Sequence, residues 1–241
     1  MWRNSRLMAA VLVVVGCAAG ADAASERTSR SADDASADSS PSTARVNPGD
    51  AVSDGAVRFT VAASGNRARY RVREQLMGRD LPNDAIGETD QVTGAIVIDS
   101  AGAVVRSQSR FVVTTAGLKS DSDRRDGYVR RRLLETEQYP TVALVPTSVR
   151  GLPPRLLAPD AAPGPVSLEL TADLTIREVT RSTTWRVSAR QSGGQVAGSA
   201  STKFTFADFG ITPPRVPIVL SVADTIHLEY EFTLTREGGS P

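Results

Sequence analysis

The sequence predicts an all-β domain of antiparallel strands that close into a barrel or sandwich, with one inserted helix. Three observations carry this. Apolar and polar residues alternate with period two from Gly55 onward, long helical stripes are missing, and turn signals separate the alternating runs. The spacing of those runs is typical of barrels and sandwiches.

The elements follow in order. After a first weak run at Val57–Val61, Ala68, Tyr70 and Val72 alternate with Arg67, Arg69, Arg71 and Arg73. Weaker alternation marks Val92–Ile98, 105–113 and 142–145. A long run follows, in which Val166, Leu168, Leu170, Ala172, Leu174 and Ile176 face away from Ser167, Glu169, Thr171, Asp173 and Thr175. Segments 185–189 and 196–206 are weaker again. In the last run Ile226, Leu228, Tyr230, Phe232 and Leu234 alternate with His227, Glu229, Glu231 and Thr233. Each such run reads as a half-buried strand with one dry face. Turns are expected at Ser100-Ala101-Gly102, at Gly193-Gly194 and in the proline-rich segments 151–165 and 212–217, where Pro213, Pro214 and Pro217 exclude a central strand. The single helix is expected over about 123–134. Ser122 stands as its cap, Asp121, Asp123 and Asp126 load its start, and Tyr128, Val129, Leu133 and Leu134 give it an apolar side. Arg130, Arg131 and Arg132 lie near its end, and Pro140 stops it. A lone helix in such a run often caps the open end of a barrel.

The segment before the strands reads as an address. Arg3 and Arg6 precede the apolar run 7–15, and small residues follow, which describes a secretory signal. The run falls far short of the roughly 20 apolar residues of a spanning helix. Val14-Val15-Gly16-Cys17 resembles a bacterial lipobox. Two readings stand: lipid attachment at Cys17, or ordinary cleavage at Ala19-Gly20-Ala21 or Ala21-Asp22-Ala23. The first gives a signal peptide with lipobox at 1–17, a disordered tether at 18–52, a barrel domain at 53–237 and a tail at 238–241. It implies an exported chain, lipid-anchored in the cell envelope, on the periplasmic face of the outer membrane if the host has one. The tether is rich in Ala, Ser and Asp and cannot bury enough apolar area to offset its ordering entropy.

Composition narrows the chemistry. With 28 basic and 27 acidic residues there is no charge case for a nucleic-acid or membrane-surface protein. One cysteine and one histidine rule out an internal disulfide and most zinc sites. His227 would have to serve any Ser–His–Asp or Cys–His catalyst, yet it lies on a polar strand face without a recognisable partner and reads as an exposed histidine. No glycine-rich phosphate loop and no metal-ligand spacing occur. The expectation is a binding protein with no catalytic residue and no cofactor.

The dry faces carry the informative residues. Tyr70, Ile96, Phe111, Leu170 and Leu174 point inward, as do Trp185, Phe204, Phe206, Tyr230 and Phe232. Phe59, Val72, Val113, Leu133 and Leu228 complete the expected interior. A barrel of about eight strands is either filled by side chains or holds one ligand. Small inward residues (Ala68, Ser107, Ser109, Gly198, Ala200) favour a cavity. The arginine ladder 67–73 reads either as an anion site or as a solvated face paired with acids such as Glu229 and Glu231. Arg125 and Asp126 likewise read as head-group contacts, or the cluster Arg124-Arg125-Asp126 reads as an ion-pair network at the helix start.

Four motifs in order add a resemblance: 120–126 (Ser-Asp-Ser-Asp-Arg-Arg-Asp), Tyr139-Pro140, Asp173-Leu174-Thr175-Ile176-Arg177-Glu178-Val179-Thr180-Arg181, and Asp208-Phe209-Gly210. Together they resemble the YceI-like family over roughly residues 55–236. Three departures are visible. Glu178 stands where the family has glycine, Ala207 replaces a polar residue, and the opening strand keeps Phe59-Thr60-Val61 without Trp-x-Ile-Asp. The resemblance implies a lipocalin-like antiparallel barrel whose apolar tunnel holds a polyisoprenoid or isoprenoid quinone, without catalysis. The expected partners are an apolar lipid and, through lipidated Cys17, a membrane; a homodimer stays open. The alternative is a filled barrel acting as a structural or interaction module of the envelope.

Overall fold

The computed structural model describes residues 55–158 and 162–237. The expected signal peptide with Cys17, the expected tether and the expected tail lie outside the described residues. Ten strands form: β1 Val57–Val61, β2 Arg67–Leu76, β3 Asn83–Thr89, β4 Val92–Ile98, β5 Arg110–Thr114, β6 Thr141–Arg150, β7 Gly164–Ile176, β8 Val179–Ser192, β9 Gln195–Thr205 and β10 Val219–Arg236.

All of them pair antiparallel, and β1 closes the ring by pairing both β4 and β10. β1 and β2 act as one bent strand against β10, with β4 and β3 facing them in turn. Counted this way the sheet is a closed 8-strand barrel in which every strand pairs with its sequence neighbours. Closure leaves the far side of β3, which pairs only with β2, as the edge among the described strands. The bend between β1 and β2 is fixed by buried Asn66. Its amide donates to the carbonyls of Ala62 (2.8 Å) and Ser64 (3.2 Å).

The nine alternating runs of the sequence all correspond to strands, with one revision. Segment 105–113 is a 3-10 turn at Arg106–Gln108 followed by β5. Ser107 is exposed on that turn. Ser109 is buried, but its hydroxyl accepts from the Val97 backbone N–H (2.9 Å) and donates to the Val105 carbonyl (2.9 Å). Neither serine opens the interior. β3 was not visible in the sequence. Its inward residues are Ala85 and Gly87, and its large aliphatic, Ile86, is 40% exposed. Gly87 is small for a reason: a Cβ there would lie 2.3 Å from Cε1 of Tyr70.

Helix α1 (Asp123–Tyr128) continues as a π turn over Val129–Leu133. Ser122 caps it, its hydroxyl accepting from the Arg125 N–H. The far end of the barrel is crossed by a 3-10 turn, Pro154–Leu157. Leu156 of that turn is buried, and the Arg236 guanidinium donates to the carbonyls of Leu157 and Ala158 (2.7 Å each).

At the helix end the ring is uneven. The β9–β10 ladder begins at Thr225, whereas β10 pairs with β2 from Val219. A three-stranded flap of early β10, late β2 and β3 therefore rises past the rim.

Candidate functional site

The inward face of the barrel encloses a cavity of about 930 Å³, near the upper end for ligand pockets. The barrel is hollow rather than filled. Its longest ring-only strand, β8, has 14 residues. That is about 46 Å along the strand, or roughly 35 Å along an axis tilted by about 40°. The wall runs from Leu152, Leu156 and Leu234 at the far end to Ser122, Arg124 and Arg125 at the helix end. A space of that proportion suits a chain-like molecule.

The wall is built by period two. Phe59, Ile96, Phe111, Leu170, Trp185 and Phe232 line its lower and middle parts. Tyr70, Val72, Val113, Leu133, Leu174, Phe204, Phe206, Leu228 and Tyr230 line the parts nearer the helix. Ala68 and Ala200 also lie on the wall and leave room for the space. Gly198 is absent from it: a Cβ there would sit 2.2 Å from the Ser188 carbonyl oxygen, so this glycine serves close strand approach. Phe111, Tyr230 and Phe232 form an edge-to-face and tilted cluster, with centroids 6.4 and 5.7 Å apart.

Most polar groups on this wall are already satisfied. The Tyr230 hydroxyl donates to Asn66 (2.8 Å), and burial pushes its pKa up. The Trp185 ring N–H donates to Thr183 (2.9 Å), and the Thr115 hydroxyl donates to the Pro140 carbonyl (2.9 Å). Tyr70 differs: its hydroxyl has no hydrogen-bond partner among the described residues. Burial pushes its pKa from 10.0 up to about 12, against the pull of the nearby Arg125 guanidinium. It is a neutral, unspent donor.

Arg125 lines the cavity and donates to Glu74 (2.8 Å) and to Asp121. The Glu74 side chain is 8% exposed and that of Arg125 18%, so this pair pins α1 to the flap in a largely dry setting. Asp126 corrects the expectation of a head-group contact. Its buried carboxylate accepts from the Ser120 N–H (2.9 Å) and hydroxyl (2.6 Å), and it does not reach the cavity wall. The ion-pair reading holds for Arg125, which nevertheless faces the space.

The remaining candidates are the arginine ladder and His227, on the polar strand faces, with Arg69 and Glu229 also bordering the cavity. The arginine ladder pairs with acids: Arg69 with Glu231 (2.9 Å), Arg71 with Glu229 (3.2 Å) and Arg73 with Asp84 (3.2 Å). His227 lies between Arg71 and Lys203 of the adjoining strands. Among the described residues no group of three or more His, Cys, Asp or Glu side chains could hold a metal ion.

Two motifs prove to be corners. The Asp208 carboxylate accepts from the N–H (2.7 Å) and hydroxyl (2.8 Å) of Thr205, and Phe209 packs on Phe204 at 4.6 Å. Gly210 then turns at a φ of 62°. At the β7–β8 turn Arg177, not Glu178, takes the left-handed conformation (φ 56°). It is held by Glu135 (2.9 Å), while Glu178 accepts from the Tyr139 hydroxyl (2.7 Å).

The geometry agrees with the family comparison, in which the model of the YceI-like domain matches residues 49–234. The chain belongs to the YceI-like family. Solved structures with this fold include a polyisoprenoid binding domain from Saccharophagus degradans (TM-score 0.58, 14% identity, covering 74% of this chain and 98% of that one). They also include Burkholderia cenocepacia BcnA (0.52, 15%, 72% and 98%) and the Campylobacter jejuni YceI protein (0.50, 15%, 68% and 91%). No curated protein matches the chain in sequence. At these identities the structural likeness speaks to the YceI-like barrel itself.

Parts of the YceI-like cavity were not expected from the sequence. Glu74, with Val216 and Ile218 of the β9–β10 loop, lines it, and so do Arg124, read only as part of the helix-start cluster, and Pro214, read only as part of a loop. The apolar run at 216–220 was the available signal, and Pro217 within it, with Pro213 and Pro214 ahead of it, concealed it.

Proposed function

We propose that this YceI-like barrel binds one long apolar lipid, of polyisoprenoid or isoprenoid-quinone type, and carries it at the cell envelope without chemistry. The observation that carries the reading is the continuous apolar cavity running from the Pro154–Leu157 turn to α1. Each methylene transferred into it from water contributes about 0.8 kcal/mol, so a long tail supplies affinity without polar contacts. Family membership and the polyisoprenoid-binding neighbour support the same ligand class. The wall residues from Phe59 to Phe232 named above hold the tail. The Tyr70 hydroxyl donates to an acceptor on the polar head, with Arg125 beside it. Lipidated Cys17 tethers the barrel to the membrane.

The test is lipid extraction from the full chain purified without detergent from its own host. The proposal expects about one prenyl lipid per chain. Empty barrels in repeated preparations, unable to take up a prenyl quinone in vitro, would overturn it.

A further inference from the structure

The cavity does not end at the ring; it continues into the flap, and the flap carries an exposed apolar tip. Met77, Leu81, Ile218 and Leu220 are 59, 77, 50 and 61% exposed. Met77 and Ile218 adjoin, since the Met77 N–H donates to the Ile218 carbonyl (2.8 Å) and Val219 pairs with Leu76; Leu220 follows on β10 and Leu81 lies in the β2–β3 connection of the same flap. Large aliphatics at such exposure, gathered at one tip, mark an interaction site. Ile218 belongs to the patch and also lines the cavity, so whatever covers the tip touches the route into the barrel.

The surrounding charge selects the partner. Arg79, Arg124, Arg131, Arg132 and Arg215 are exposed at this end, and none has an ion-pair partner among the described residues. Arg124, Arg131 and Arg132 themselves line the mouth. The exposed acids at this end include Asp80, Asp121, Asp123, Glu137, Asp208 and Asp224; Asp121 is held by Arg125, Asp208 by the Thr205 N–H and Asp224 by the Phe206 N–H. Apolar side chains flanked by unpaired arginines match a bilayer with anionic head groups, where each cation near the surface adds to attraction. A second copy fits less well. The β3 edge carries Asp84 and Glu88 and follows Pro82. Its Glu88 backbone is already engaged in both directions by Lys119 (2.8 and 3.0 Å), which blunts the edge.

We infer that the flap tip is a membrane-docking surface: Met77, Leu81, Ile218 and Leu220 insert into the head-group region of an anionic bilayer. The arginines hold the mouth against it, so that lipid passes between bilayer and barrel without crossing water. Its purpose rests on the lipid-carrying reading, but docking is measured separately from loading.

The experiment places an environment-sensitive fluorophore on Leu81→Cys in a full chain carrying Cys17→Ser, which leaves one thiol. The control carries the label on Ser192→Cys at the far end. Vesicles contain two parts phosphatidylcholine to one of phosphatidylglycerol. The tip label should shift to the blue and the far-end label should not. Ile218→Ser with Leu220→Ser should weaken the vesicle dependence at least tenfold. Arg79→Gln and Arg215→Gln should each weaken it roughly fivefold at low salt. Circular dichroism verifies the fold of each variant. No tip shift on vesicles, or equal shifts at both ends, overturns the inference. So does a tip shift that grows with protein concentration and needs no vesicle, which would assign the patch to a second copy. Prenyl-lipid content, read by extraction on the same samples, separates the two claims: an empty barrel that docks refutes carriage alone, and a loaded barrel that does not dock refutes docking alone.

Discussion

At the scale of single residues, the division of labour follows from which polar atoms are spent. Tyr230, Trp185 and Thr115 have partners within the fold, so they tolerate an apolar occupant, whereas the Tyr70 hydroxyl on the cavity wall has no partner among the described residues. Tyr70→Phe should therefore weaken binding of a prenyl quinone about fivefold, the worth of one hydrogen bond, and leave a bare prenyl hydrocarbon unaffected. Fluorescence titration with the two ligands checks this. Tyr70 also fixes an alkaline limit. Its folded pKa is raised from 10.0 to about 12, so its stabilisation is complete below pH 10 and is lost as pH rises from about 10 to 12. Urea unfolding across that window should show a smaller decline for Tyr70→Phe than for the parent. Ala200 tests the hollow. In a packed core Ala200→Leu would cost about 1–3 kcal/mol; here it should cost less than about 1 kcal/mol and reduce lipid content several-fold.

At the scale of elements, α1 and the Asp208 corner hold the cavity mouth. Arg125→Ala leaves Glu74 buried with only the Asn83 amide (3.1 Å) beside it, and should destabilise by about 2 kcal/mol or more. Replacing both Glu74 and Arg125 by leucine should recover much of that loss, as urea midpoints of the single and double variants will record. The backbone N–H of Thr205 holds the Asp208 carboxyl below its usual range. The stability it contributes is present above the ordinary carboxylate pKa and fades as pH falls through the lower folded value. Asp208→Asn should accordingly unfold with a shallower acid limb in a circular dichroism titration. This scale also shows what the chain reveals of itself. The strands were legible because barrel walls enforce period two, and Leu170, Leu174, Tyr230 and Phe232 obey it without exception. β3 was illegible because Gly87 yields its side-chain space to Tyr70 and Ile86 faces outward. The two ends of the cavity were illegible because loops build them: Leu156 at the far end and Ile218 at the mouth reach the cavity from proline-rich segments, where neither period applies. Ser109 shows the converse failure, since its hydroxyl is committed to the β4 backbone.

At the scale of the whole molecule, eight strands in sequence order close a ring around a space they do not fill. The Pro154–Leu157 turn crosses one end, and the other is framed by charged side chains, an unspent tyrosine and an apolar flap. On the proposed function, that polarity along the barrel axis gives a lipid one direction of entry: tail first, with its head left near Tyr70 and Arg125. The outer face carries cross-strand ion pairs around His227, which has Arg71 and Lys203 as neighbours, so the interior is where this YceI-like chain differs most from a purely structural barrel. Occupancy of the interior is the central claim. Native mass spectrometry of the full chain, isolated from its own host without detergent, tests it most directly. The account predicts one non-covalent adduct per chain with the mass of a prenyl lipid, lost on Ala200→Leu. A spectrum of the bare chain alone, unchanged after incubation with a prenyl quinone, would contradict it.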